Sequence, residues 1–210
     1  MNGRAAPGRQ RAPAEPSPRG RPRYKGSVRY ELREPSSTLR VWTFKDGLLA
    51  RAAHDLCLEA RGARAPCVLE EGRCRVEVRV PVAGLRVLGQ VRAGEVIPLS
   101  AKDHADIEET LRGPRVLDAA RHPEVVYRGE GPPPSGGEVE RNGELRLRGR
   151  PHPLCVRAAW EGAGQEVEVR GEIRLSQSDF GIEPFRALLG ALRVRDEVRV
   201  SWNLRYRPAK

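Results

Sequence analysis

Residues 73–80 read RCRVEVRV: Cys74, Val76, Val78 and Val80 fall on one face, and Arg73, Arg75, Glu77 and Arg79 on the other. Strict alternation with period two is the pattern of a half-buried β-strand. One dry face and one wet face belong to antiparallel sheet, since strands of parallel sheets are buried on both sides.

The same pattern recurs in both directions along the chain. Val28, Tyr30 and Leu32 alternate with Arg29 and Glu31, and Leu39, Val41 and Thr43 follow a turn at Pro35-Ser36-Ser37. Leu56, Leu58 and Ala60 come next, after the segment 47–55. Downstream, strands are predicted at 144–148, 154–160, 166–175 and 197–206, with a less regular one at about 123–129. Residues 132–137, Asn142-Gly143 and 162–164 supply turn signals, the Asn-Gly pair reading as a hairpin. Two stretches have helical period instead. Residues 101–112 place Ala101, His104, Ile107 and Leu111 on one stripe, with Ser100 as N-cap, Asp103 three residues on and Gly113-Pro114 as a stop. Residues 184–192 start at Pro184 and turn Phe185, Leu188, Leu189 and Leu192 the same way. Eight or nine short strands with two short helices fit a closed barrel or a sandwich, and periodicity does not separate them.

Composition agrees and narrows the function. The 210-residue chain has 22 Gly, 18 Pro, 39% hydrophobic residues and only 5% aromatics. That suits many short elements joined by turns. The net charge of +10 is unevenly placed. Residues 1–25 hold Arg4, Arg9, Arg11, Arg19, Arg21, Arg23 and Lys25 against Glu15, a net +6, which leaves +4 for the rest. Segment 1–25 has almost nothing to bury and is expected to be a disordered Arg/Pro-rich tail, with 26–210 as the folded domain. Its tip lacks an apolar signal core, and no apolar run is long enough to span a bilayer, so a cytoplasmic protein without a transmembrane segment is expected. The outer faces mix signs and lack interleaved aromatics, so no specific nucleic-acid partner is expected.

Motifs for chemistry are sparse. Ala53-His54-Asp55 lacks a positioned Ser or Cys nucleophile, and His54 reads as structural. Asp179-Phe180-Gly181 stands without the other kinase motifs and reads as a turn. His54, His104, His122 and His152 lie in separate elements, and Cys57, Cys67, Cys74 and Cys155 form no metal-ligand spacing; the cysteines read as ordinary thiols. Glu108-Glu109 reads as surface charge. No catalytic residue, metal or cofactor is expected. What remains is the dry face, whose inward positions are mostly Val, Leu, Ile and Trp and often small, as at Ala158. A barrel of about eight strands either fills with side chains or holds one small ligand, and composition leaves both open.

Several phrases resemble the YceI-like family. GEIRLSQSDFGIEPFRALLGALRVRDEVRVSWNL (171–204) resembles its strand, SDFG turn, short helix and final strand. RVLDAARHPEVVYRG (115–129), GELRLRGRPHPLCVRAAW (143–160) and LRVWTFKDGLLARAAHDLCLEA (39–60) resemble further elements, so the similarity covers about 27–206. The resemblance implies an antiparallel, lipocalin-like β-barrel that binds a long polyisoprenoid or similar lipid without catalysis, often as a homodimer. Many members are secreted to the periplasm, and this chain departs from them in its Arg/Pro leader. The inward-phase residues Leu56, Leu58, Val76, Val78, Val80, Leu145, Leu147, Val167, Val169, Ile173, Val198, Val200 and Trp202 are the expected lining. The competing expectation is a packed, ligand-free barrel that acts as an interaction module through its basic tail.

Overall fold

The computed structural model describes residues 27–46, 55–134, 137–163, 165–187 and 192–209. The tail 1–25 and His54 lie outside the described residues. In chain order the strands are β1 (Val28–Leu32), β2 (Thr38–Asp46), β3 (Asp55–Ala60), β4 (Cys67–Glu70), β5 (Arg73–Pro81), β6 (Leu85–Arg92), β7 (Glu95–Ile97), β8 (Glu124–Gly131), β9 (Gly137–Leu147), β10 (Arg150–Ala163), β11 (Glu166–Ser176), β12 (Arg186–Ala187) and β13 (Leu192–Pro208). One helix, α1 (Ala101–Arg112), lies between β7 and β8.

Eight strands close a ring in the order β1-β4-β5-β8-β9-β10-β11-β13, with β13 pairing back to β1. Every pairing is antiparallel. Closure leaves no edge within the ring to template further pairing. The long β13 is the branch point. Its C-terminal end pairs with β1, from Leu32 opposite Tyr206 to Tyr30 opposite Pro208. Its earlier part pairs with β2, from Asn203 opposite Thr38 to Arg193 opposite Asp46. β2 then carries an arm of β3, β6 and β7.

Tight hairpins are made where two residues in succession take positive φ, the twist-matched geometry for two-residue loops. These are Glu71-Gly72 (47° and 75°), Ala93-Gly94 (50° and 85°) and Arg148-Gly149 (51° and 71°). The Asn142-Gly143 pair is not a turn, contrary to the sequence expectation; it lies inside β9, with Gly143 opposite both Gly129 and Leu154. A Cβ on Gly143 would meet the Arg128 carbonyl oxygen at 2.0 Å, so this glycine serves close backbone approach.

Helix α1 forms as its caps predict: the Ser100 hydroxyl oxygen accepts from the Asp103 N–H at 3.1 Å. The stretch 184–192 departs from the helix its period suggests. Arg186 pairs with Arg193, and the Val194 N–H donates to the Phe185 carbonyl at 3.0 Å, so its described part is drawn into the sheet. Nine residues make a marginal helix unaided, and pairing with β13 prevails. The Asp179-Phe180-Gly181 turn is as expected: a 3-10 turn over Gln177–Phe180 ends on Gly181 at φ 68°.

Candidate functional site

Two packed clusters occupy the two ends of the barrel interior. At one end Tyr30, Leu69, Cys74, Val167, Leu204 and Tyr206 are buried together. At the other, Val82, Leu85, Leu117, Tyr127, Phe180 and Ile182 close the core. The walls of both clusters also bound a cavity of about 290 Å³. This lies at the lower end of the range of small-molecule sites. A fully packed interior, the alternative that composition allowed, is not what the strands enclose.

The cavity is long for its volume. Along β13 its lining runs from Val198 to Tyr206, roughly 27 Å of strand at about 3.4 Å per residue. With strands tilted as barrels require, that is roughly 20 Å along the axis. Its wall is apolar almost throughout, because the inward phase of each contributing strand is aliphatic or aromatic. Val76, Val78 and Val80 come from β5, Leu145 and Leu147 from β9, Val169 and Ile173 from β11, and Val198, Val200 and Trp202 from β13. Leu58 adds a wall position from β3.

Two of the expected residues lie elsewhere. Val167 is in phase but buried to 2% exposure inside the packed end, opposite Tyr206, so it is covered rather than lining. Leu56 lies one alternation beyond Leu58 in the arm, opposite Thr43, outside the lining. Conversely, Leu204 and Tyr206 line the cavity in phase with the expected residues of β13, and Leu39 and Val41 on β2 with Leu154 and Val156 on β10 line it from strands that contributed no expected lining residue. Leu111, Val116, Leu117 and Ile182 also line it, from α1 and the loops, where strand period gives no signal.

The inward face of β8 is hollowed by glycines. Val125, Tyr127, Gly129 and Gly131 alternate inward, opposite Val80, Val78, Val76 and Cys74 of β5. A Cβ on Gly129 would meet the Tyr127 hydroxyl oxygen at 2.4 Å, so the Tyr127 ring lies over the glycine. Its hydroxyl donates to the Arg141 carbonyl at 2.8 Å, and burial pushes the phenol up to about 12. Arg141 is the charged member of the lining, at 6% exposure.

Glu108 is not surface charge, as its sequence context suggested. Its Oε1 accepts from the Val87 N–H at 3.2 Å, and its Oε2 meets Arg112 at 2.7 Å, tying α1 to β6. Burial raises this carboxyl, but the Val87 N–H and Arg112 outweigh it and hold the group below its ordinary value. His152 packs edge-on against Phe180 with ring centroids 5.5 Å apart. Among the described residues, no group of three or more His, Cys, Asp or Glu side chains is placed to hold a metal ion, and no helix is long and apolar enough to cross a membrane.

Comparison with known proteins agrees with this architecture. The family model of the YceI-like domain matches residues 59–206. A UPF0312 protein of Vibrio cholerae is 28% identical over 88 residues, which take in 39% of this chain and 47% of the relative. The chain thus spans about half the length of the curated relatives it matches. Among solved structures, BcnA of Burkholderia cenocepacia superposes with a TM-score of 0.61 at 13% identity, covering 83% of this chain and 98% of that one. A polyisoprenoid-binding domain from Saccharophagus degradans gives 0.61 at 12% identity, covering 86% and 98%. The YCEI protein of Campylobacter jejuni gives 0.53 at 10% identity, covering 73% and 84%. At such identities the likeness is one of fold.

Proposed function

Since this chain belongs to the YceI-like domain family, we propose that its barrel, residues 26–210, binds an isoprenoid-type lipid without catalysing its conversion. The observation that carries this reading is the elongated apolar cavity of about 290 Å³ inside the ring. The polyisoprenoid-binding domain of Saccharophagus degradans, which shares the fold, supports it.

The physical chemistry is that of apolar burial. Each methylene moved from water into the cavity contributes about 0.8 kcal/mol, against a fixed association cost. Affinity therefore rises with chain length until the cavity is filled and then levels off. A branched, slender chain suits a wall built from Val and Leu on strands in regular register. With few polar groups in the lining, recognition is by shape and length rather than by hydrogen-bonded headgroup contacts.

The indoles of Trp160 and Trp202 line the cavity, so their emission reports occupancy. Titration with prenyl alcohols of increasing length should give saturable changes, with affinity rising and then reaching a plateau. No binding at any length, or binding that ignores length, would contradict the proposal.

A further inference from the structure

We propose that Cys67 and Cys74 form a thiol modification site in the cavity wall, a dithiol that closes to an intrachain disulfide with Cys74 as the attacking sulfur. The hairpin at Glu71-Gly72 sets the register: Leu69 lies opposite Cys74, and Cys67 opposite Val76. The two cysteines are therefore diagonal neighbours on the inward face of β4 and β5. Their Sγ atoms are 3.2 Å apart, and the residues are 4% and 1% exposed. Closing them to the ordinary S–S length of about 2.0 Å asks for little more than 1 Å of movement, and β4 is only four residues long.

Arg141 makes the pair asymmetric. Cys74 lies opposite Gly131 on β8, and the β8–β9 ladder ends one step earlier, at Glu130 opposite Asn142. Cys74, Gly131 and Arg141 thus follow one another across three strands. A Cβ at Gly131 would sit 2.9 Å from Arg141 Nη1, so the glycine makes room beside Cys74 for the guanidinium, whose Nη1 donates to the Glu140 carbonyl oxygen at 2.7 Å. No carboxylate among the described residues lies within 4.0 Å of Arg141 as an ion-pair partner. A buried cation without a carboxylate is costly, and a Cys74 thiolate is the counter-charge that the register brings to it. The hydrogen bond with Cys67, with help from Arg141, holds Cys74 below the ordinary thiol value against burial. The same bond, together with burial, holds Cys67 above it. Cys57 is raised by burial, and the exposed Cys155 by partial desolvation and the Glu140 carboxylate beside it, so in neither is the thiolate favoured as it is at Cys74.

The chemistry balances with a peroxide as oxidant. The Cys74 thiolate attacks one peroxide oxygen, the O–O bond breaks, and a sulfenic acid and hydroxide form. The Cys67 sulfur then attacks the Cys74 sulfur. The S–S bond forms, the S–O bond breaks, and the departing hydroxide takes the Cys67 proton as water. The proton that Cys74 released on ionising neutralises the hydroxide of the first step, so two thiols and one peroxide become one disulfide and two waters. Both cysteines line the cavity, so the oxidant reaches them from the barrel interior.

The test uses the reduced full-length chain treated with hydrogen peroxide, followed by alkylation and peptide mapping. The expected result is loss of two alkylatable thiols, with Cys67 and Cys74 joined in one cross-linked peptide. In Cys67→Ser, dimedone should label Cys74, whereas in Cys74→Ser it should leave Cys67 unlabelled. Arg141→Gln should slow the closure roughly tenfold, as expected for a thiol whose thiolate fraction falls. If Cys67 and Cys74 stay alkylatable under conditions that oxidise the exposed Cys155, or if dimedone labels Cys67 instead, the proposal is overturned. None of these readouts requires a lipid, so their failure would leave the binding proposal untouched.

Discussion

Trp202 stands opposite Gly171 in the β11–β13 ladder, and its indole covers the glycine so closely that a Cβ there would meet Trp202 Cζ2 at 2.5 Å. Gly171 falls between the lining residues Val169 and Ile173, so the missing side chain is what lets an aromatic lie flat along the cavity wall. Gly171→Val should force the indole off its seat. The Arg157 carbonyl oxygen, 2.9 Å from the same Cβ position, blocks the other escape. The expected cost is about 1–3 kcal/mol, read as a lower denaturant midpoint together with a shifted tryptophan emission.

A larger side chain pointing into free space behaves differently. Val169 lines the cavity between Leu204 and Trp160 on the neighbouring strands. In a packed core Val169→Phe would cost about 1–3 kcal/mol. Here the ring takes space that the lipid would occupy, so lipid-free Val169→Phe should melt close to the parent while retaining lipid more weakly. Calorimetry of the delipidated variant, paired with a retention assay, measures both.

The tie between α1 and β6 gives a pH dependence of known sign. Glu108 is held below its ordinary carboxyl value of 4.5 in the folded state. Its contribution is therefore fully present above the unfolded value and is lost as pH falls through the lower folded value. Glu108→Gln should cost about 1 kcal/mol near neutral pH. The difference between variant and parent should shrink towards zero in acid unfolding experiments below about pH 4.

The strands that build the cavity were legible because their side chains alternate without interruption. Val76 to Val80 and Val198 to Trp202 need only a period of two to be placed inward. The turns were less so. Asn142-Gly143 has the composition of a hairpin, but the chain turns at Arg148-Gly149, where the ladder between β9 and β10 sets the register. Residues 184–192 carry a helical period, but β13 recruits Arg186 and Ala187 as sheet. The partners, Leu192 and Arg193, lie only a few residues on, but the helical period of the stretch gives no sign of them. Leu111, Leu117 and Ile182 reach the cavity from outside any strand, and only the tertiary fold shows it. The Cys67–Cys74 contact is an intermediate case. Reading Glu71-Gly72 as a two-residue hairpin would have put both thiols on the inward face as diagonal neighbours, but Glu-Gly is a weak turn signal beside Asn-Gly.

Native mass spectrometry of the full-length chain, purified without detergent and then offered geranylgeraniol, decides whether the barrel holds lipid. The expected spectrum shows a complex carrying one lipid per chain, either already present or formed on addition, and depleted in Val169→Phe. A chain that remains at its bare mass in both states while correctly folded would show the interior to be closed to lipid and overturn the binding proposal.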